Sequence, residues 1–167
     1  MYQKNSHCSY CGQAFETDQP WPRRCSNCQR STYLNPTPVA VVLLPVDNGL
    51  LLVRRNIEPR KGKLALPGGF IGLDESWQEA GAREVWEETG LKVEAGEIED
   101  FRVLSAPDST ILIFGLATAK KTAADLQEFV SNAETSELAV IDMPQELAFP
   151  LHTQVVQEFF EKQKNLK

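Results

Sequence analysis

Between Gly68 and Leu91 the chain reads GGFIGLDESWQEAGAREVWEETGL, with six acids around a single base, Arg83. Ser76-Trp77-Gln78-Glu79 is a capping box and Gly90 a C-terminal stop, so the spacing predicts a helix from Trp77 to Thr89. On that helix Glu84, Glu87 and Glu88 fall at i, i+3 and i+4, within one arc of about 100°. Like charges at this spacing cost ~0.2–0.5 kcal/mol per pair, and the last turns lie at the negative end of the helix dipole. Such a breach of local rules is expected at a functional site. A divalent cation resolves it, because Mg2+ or Mn2+ takes carboxylate oxygens together with water and phosphate. A solvated acidic face is the plainer alternative. It leaves unexplained why Trp77, Ala80 and Gly81 continue the same stripe, which points the face inward.

The second constraint is C-x2-C-x13-C-x2-C, formed by Cys8, Cys11, Cys25 and Cys28. Two such knuckles offer four thiolates to a tetrahedral Zn2+ at ~2.3 Å per sulfur. Disulfides and a redox motif are the competing readings. The start MYQKNSHCSY has no apolar h-region, so a cytoplasmic, thiol-preserving setting is expected. No strand-helix pattern frames a thioredoxin-like site. His7 is read as a loop residue rather than a ligand.

Residues 1–34 therefore read as a zinc ribbon that depends on its metal to fold. The YLNPTP linker, with Pro36 and Pro38, separates it from a second domain, residues 35–167. There VAVVLLP and LLLVRR flank Asn48-Gly49, a hairpin signal. FRVLS, TILIFGLA and ELAVIDM read as further strands, the second apolar enough to be buried on both faces. HTQVVQEFFEKQKNL closes the chain as an amphipathic helix with Val155, Val156, Phe159 and Phe160 on one side. TAKKTAADLQEFVSNAETSE is a long polar connection. Strands and helices alternate with a hairpin, so the fold class is α/β with a mixed sheet covered by helices. Hydrophobic residues make up 42% and charged ones 24%, the balance of a globular protein. A net charge of −6 disfavours nucleic-acid and membrane partners, which need a basic face.

From Gly69 to Leu91 the sequence matches G-x5-E-x7-R-E-U-x-E-E-x-G-U at Gly69, Glu75, Arg83, Glu84, Val85, Glu87, Glu88, Gly90 and Leu91. It resembles the Nudix box, and residues 39–167 resemble a Nudix hydrolase domain. The resemblance implies a Nudix α/β/α sandwich after the ribbon, and hydrolysis of the pyrophosphate in a nucleoside diphosphate linked to another moiety. It implies Glu84 and Glu88 as principal Mg2+ or Mn2+ ligands and Glu87 as a further or water-mediated one, with Gly68 and Gly69 at the substrate and their carbonyls in support of the metal. Arg83 is expected to point off the carboxylate arc and brace the loop by pairing with an acid such as Glu75. The general base is left between a box glutamate and Glu134 or Glu137. Arg54 and Arg55 end a strand beside the site, and strand alternation lets only one of them face phosphate. Gly72 and Asp74 stand where many Nudix sequences carry Glu and Gly.

A four-cysteine ribbon before such a domain is similar to NADH pyrophosphatases and to a group acting on ADP-ribose or FAD. The S-Q-P-W-P-F motif of the former is missing, whereas RRNIEPRKGK, LPGGF and LAFP look like the latter. Phe70, Phe101, Phe114 and Phe149 are candidates for a nucleotide pocket. The expected partner is a small nucleotide, with the step from monomer to homodimer left open. Two other classes compete. One is a pyrophosphatase that clears aberrant nucleoside triphosphates. The other is a ligand-sensing nucleic-acid-binding regulator. Against the regulator, Lys4, Arg23, Arg24 and Arg30 outnumber Glu16 and Asp18 only enough to offset the negative charge of a Zn(Cys)4 centre, so no basic patch forms.

Overall fold

The computed structural model describes residues 4–165. Two compact units divide between Pro36 and Thr37, inside the proline linker.

The first unit holds a small ladder in which strand β1 (Arg23–Arg24) pairs antiparallel with β2 (Ser31–Thr32). His7 bridges to Ala14 ahead of it. Apolar burial is thin here, Cys8 and Cys25 being its buried hydrophobic residues. Phe15 and Trp21 meet edge to face at 6.1 Å, with the Arg23 guanidinium 4.6 Å from the Trp21 ring centre.

The second unit begins with β3 (Thr37–Leu43), β4 (Pro45–Val46) and β5 (Gly49–Arg55), followed by β6 (Leu64–Ala65) and β7 (Gly68–Phe70). Helix α1 spans Trp77–Thr89, and β8 (Ile98–Ser105) and β9 (Thr110–Ala117) form a hairpin. A short 3-10 turn at Ala123–Leu126 precedes β10 (Thr135–Ile141), and α2 (Pro150–Asn165) closes the chain. Leu166, the last residue expected in that helix, lies outside the described residues.

These strands form two sheets rather than one. The first is mixed, in the order β7-β3-β9-β8, with β3 and β9 parallel. The second is antiparallel, β10-β5-β4, with β6 also on β5. The apolar run VAVVLLP passes from one sheet to the other at Leu44, whose carbonyl accepts from Leu51 N at 2.9 Å.

Period-2 alternation explains the sandwich. Val41, Leu43, Leu50 and Leu52 pack with Val155, Val156, Phe159 and Phe160 of α2. Val42, Leu44, Val46 and Leu51, their neighbours in sequence, pack instead with Val85 of α1 and with Leu91, Val93 and Ile98. Both faces are apolar because both are covered, giving near-continuous hydrophobic strands.

The expected Asn48-Gly49 turn is displaced by one residue. Val46 pairs with Gly49, so Asp47 and Asn48 make the turn, and Asp47 takes the positive φ of 50°. Gly49 is needed for another reason: a Cβ there would fall 2.5 Å from the Ile141 carbonyl of β10. No helix among the described residues is long and apolar enough to cross a membrane.

Candidate active site

Helix α1 begins and ends where its caps dictate. Ser76 Oγ accepts from Glu79 N at 3.2 Å, and Glu79 Oε2 accepts from Ser76 N at 2.7 Å. Gly90 adopts the left-handed conformation, φ 72°, and donates to Trp86 O. The face running through Ala80, Gly81, Glu84, Val85 and Glu88 is buried, whereas Glu87 is exposed. Two of the three crowded glutamates thus face inward.

Two glycines make room for them. Gly68 has a φ of 155° and no space for a Cβ, which would run into the Ala40 carbonyl of β3. Its N–H is thereby turned toward Glu88 Oε2 at 3.0 Å. At Gly69 the volume of a Cβ is taken by the Glu84 carboxylate. Both glycines, expected at the substrate, serve first to seat the two acids.

Arg83 departs from expectation. Its Nε and Nη2 donate to Glu75 at 3.1 and 2.8 Å, the pairing foreseen. Yet its Nη1 also reaches Glu84 at 2.7 Å and Glu87 at 3.0 Å, and Nη2 reaches Phe70 O. The guanidinium does not point away from the carboxylate arc; its length lets one planar fork serve acids from the loop and the helix. This network raises the Arg83 pKa, while Arg83 and the Gly72 N–H lower that of Glu75.

Glu88 has no such cation bound to it. It is 5% exposed, and burial, with the charges of Glu84 and Glu134 adding, pushes its carboxyl up to about 8. The Gly68 N–H and the charge of Arg55 work the other way. Glu84 is also shifted upward by burial, against the pull of Arg83. A buried carboxylate lacking a paired cation is costly, and a hard divalent ion is what an all-oxygen donor set suits. Glu84 and Glu88 offer that donor chemistry on the buried face, whereas Glu87 is exposed and turned to Arg83, and the three carboxylates are not drawn into one cluster.

The flanking candidates separate. Arg54 ion-pairs with Glu137 at 2.7 Å, and Glu137 lies within β10 rather than in a loop. Arg55, on the opposite side of the strand, stacks its guanidinium 5.2 Å from the Phe149 ring centre and donates to Pro59 O at 2.8 Å. Its charge is the one felt at Glu88. Glu134 acts electrostatically on both Glu84 and Glu88, whereas Glu137 is taken up by Arg54. Of the aromatic candidates, Phe114 is wholly core and Phe101 lies under Lys162. Phe149 packs on His152 and Arg55, and Phe70 is 64% exposed.

Sequence reasoning missed two residues. His152 is buried, accepts from Leu66 N through Nδ1 at 3.2 Å, and is held neutral, its pKa lowered by burial to about 3. A histidine among apolar helix positions was the only signal. Asn132 ties the loop before β10 to the end of α1; an asparagine in a polar segment gave only a generic turn signal.

In the N-terminal unit the four cysteine Sγ atoms lie within 4.8 Å of one another. Cys8–Cys28 and Cys11–Cys25 are each 3.6 Å apart, far beyond the ~2.05 Å of a disulfide. A tetrahedron with ~2.3 Å metal–sulfur bonds has edges of about 3.8 Å, so the cluster fits one such ion. Burial acts to raise the Cys8 thiol, but the Tyr10 and Cys11 amides together with the Cys28 and Cys25 thiols bring it down to about 6. His7 is half-buried and outside the cluster.

A glycine-seated, acid-lined helix after a strand, in a two-sheet sandwich, defines a known class of domain. The chain belongs to the NUDIX domain family, whose profile matches residues 35–161. It is similar to the NAD-capped RNA hydrolase NudC of Edwardsiella ictaluri, 34% identical over 94 residues that cover 56% of this chain. That match spans 36% of the relative, so the two share about a third of the relative's length. NudC of Shigella flexneri is 33% identical over the same length. A NUDIX hydrolase from Nitrosomonas europaea superposes over 96% of this chain and 93% of its own, with a TM-score of 0.79 and 26% identity. A bifunctional NMN adenylyltransferase/ADP ribose pyrophosphatase from Francisella tularensis, solved with AMP and a manganese ion, shares the fold. It does so at a TM-score of 0.62 and 24% identity, over 76% of this chain and 42% of its own.

Proposed function

We propose that this protein is a metal-dependent pyrophosphohydrolase acting on a nucleoside diphosphate linked to another moiety, with ADP-ribose or FAD the leading substrates. The observation that carries the reading is Glu88: a buried carboxylate raised to about 8, seated beside Glu84 by a glycine that only this geometry requires. Glu84, Glu88 and Glu87 would hold Mg2+ or Mn2+. When bound, the ion offsets charge on the pyrophosphate oxygens and lowers the pKa of a water.

The chain's own groups do the rest. Arg83 keeps loop and helix in register through Glu75. Arg55, fixed over Phe149, presents its charge to substrate phosphate. Glu134 accepts the proton of the attacking water on a carboxylate oxygen, and no covalent link to the protein is needed. The four cysteines hold one structural Zn2+, and the 1–34 ribbon is a folding unit dependent on it.

A second reading is favoured by the curated relatives: a nicotinamide dinucleotide, free or at the end of an RNA. The net charge of −6 weighs against long RNA contacts. A panel of ADP-ribose, FAD, NADH, NAD-capped RNA and nucleoside triphosphates, each with Mg2+ and with Mn2+, decides between them. Two monophosphate products are expected from the best substrate. Release of pyrophosphate from triphosphates as the main activity would replace this reading with the housecleaning one.

A further inference from the structure

Asn132 stands half-buried between the C-terminal end of α1 and the start of β10. Its side chain uses both ends. Nδ2 donates to the carbonyls of Glu87 at 3.0 Å and Glu88 at 3.3 Å. Oδ1 accepts from the amides of Glu134 at 2.9 Å and Thr135 at 2.8 Å. The backbone is engaged as well: Asn132 N donates to Thr135 O at 2.9 Å, and Asn132 O accepts from Asn56 Nδ2 at 3.0 Å. Asn56 N in turn donates to Glu134 O at 2.7 Å, closing the ring onto the end of β5.

The carbonyls of Glu87 and Glu88 belong to the last turn of α1, where no intrahelical donor remains for them. The basic side chains that often satisfy such groups are absent from this turn. A neutral amide from a distant loop takes their place. It thereby links the two glutamates nearest the helix end to Glu134, a loop acid whose charge reaches Glu84 and Glu88.

We propose that Asn132 is a positioning residue for hydrolysis, holding Glu134 at a fixed distance from Glu84 and Glu88. This rests on the reading of Glu134 as the proton acceptor. An amide is the side chain required, because it must donate to the helix and accept from the loop at once. A carboxylate would meet the helix carbonyls with charge of the wrong sign, and alanine would leave four backbone groups without their partner.

The test is a double-mutant cycle on turnover of the best substrate in saturating Mg2+, with Asn132→Ala, Asn132→Asp, Glu134→Gln and the pair Asn132→Ala/Glu134→Gln. Asn132→Ala is expected to lower kcat at least tenfold with KM changed less than threefold, and Asn132→Asp to lose as much or more. In the Glu134→Gln background, Asn132→Ala should cost less than threefold further, because there is no longer a base to position. Fully additive losses would make Asn132 a general scaffold residue and overturn the inference while leaving the Glu134 reading intact. Full turnover in Glu134→Gln would overturn both. Amide exchange guards against a folding artefact: Glu134 and Thr135 should lose protection in Asn132→Ala while β3 and β5 keep theirs. Loss across β3 and β5 also counts against a local positioning role.

Discussion

Glu84 and Glu88 carry the same charge on the same helix face, yet their partners make them respond oppositely to neutralisation. Glu88→Gln keeps an acceptor for the Gly68 N–H and, above the carboxyl's pKa of about 8, removes a buried charge that opposes the helix dipole. In EDTA at pH 9 it should melt higher by at least about 2 °C, while turnover in Mg2+ falls by orders of magnitude. Glu84→Gln weakens the Arg83 network and should melt at or below wild type. A Glu88→Gln protein that melts lower in EDTA and hydrolyses normally would show that these acids serve the fold alone. The pH dependence separates the same groups. Glu88 binds its proton more tightly folded than unfolded, so metal-free stability should fall as pH rises from about 4.5 to about 8. His152 is depressed to about 3, so its contribution is full above pH 6.5 and is lost as pH falls below it. Between pH 4.5 and 6.5 the two slopes oppose, each up to ~1.4 kcal/mol per pH unit. Denaturation in EDTA should therefore find Glu88→Gln acid-sensitive in this window, and His152→Asn more stable toward acid than wild type. Equal slopes in all three proteins would refute the assignment.

At the scale of elements, the segment 118–137 is less free than its polar sequence implies. Its start is pinned to the β4–β5 turn: Asp47 N donates to Lys121 O, and Asp47 Oδ2 accepts from Ala123 N, both at 2.9 Å. Its end is pinned by Asn132 and the start of β10. What remains is the stretch around Glu128–Val130, facing Trp86 and Glu87 across a cleft of about 310 Å³. Hydrogen exchange with a non-hydrolysable ADP-ribose analogue should show added protection there and little at residues 121–125. Unchanged exchange at saturating ligand would remove this segment from recognition. The sequence made α1 legible to the residue because capping box and C-terminal glycine act locally. The sheet change at Leu44 was not, since an unbroken apolar run carries no period to mark it. Gly49 misled for a related reason: a glycine needed for close approach to Ile141 resembles one needed for a turn. Asn132 was hidden because its partners on α1, the carbonyls of Glu87 and Glu88, lie over forty residues away, beyond any local pattern.

For the molecule as a whole, the two units rest on different sources of stability. The N-terminal unit has few buried apolar residues and a thiol cluster; the second has two clusters of leucine, valine and phenylalanine on either side of its sheets. Protein purified without added metal should carry about one zinc per chain, and Cys25→Ser should unfold residues 4–36 while the NUDIX domain keeps its far-ultraviolet spectrum. Four titratable thiols in a folded, zinc-free chain would contradict this. The continuous burial of Ala40–Leu44 and Gly49–Val53 has a historical consequence as well. A strand with one wet face lets half its positions drift, but these two have no such face. Their residues can be exchanged only together with a buried partner, such as Val85 of α1, Val155 of α2 or, for Gly49, Ile141 of β10, so this part of the chain should diverge in matched pairs while the surface around it turns over freely.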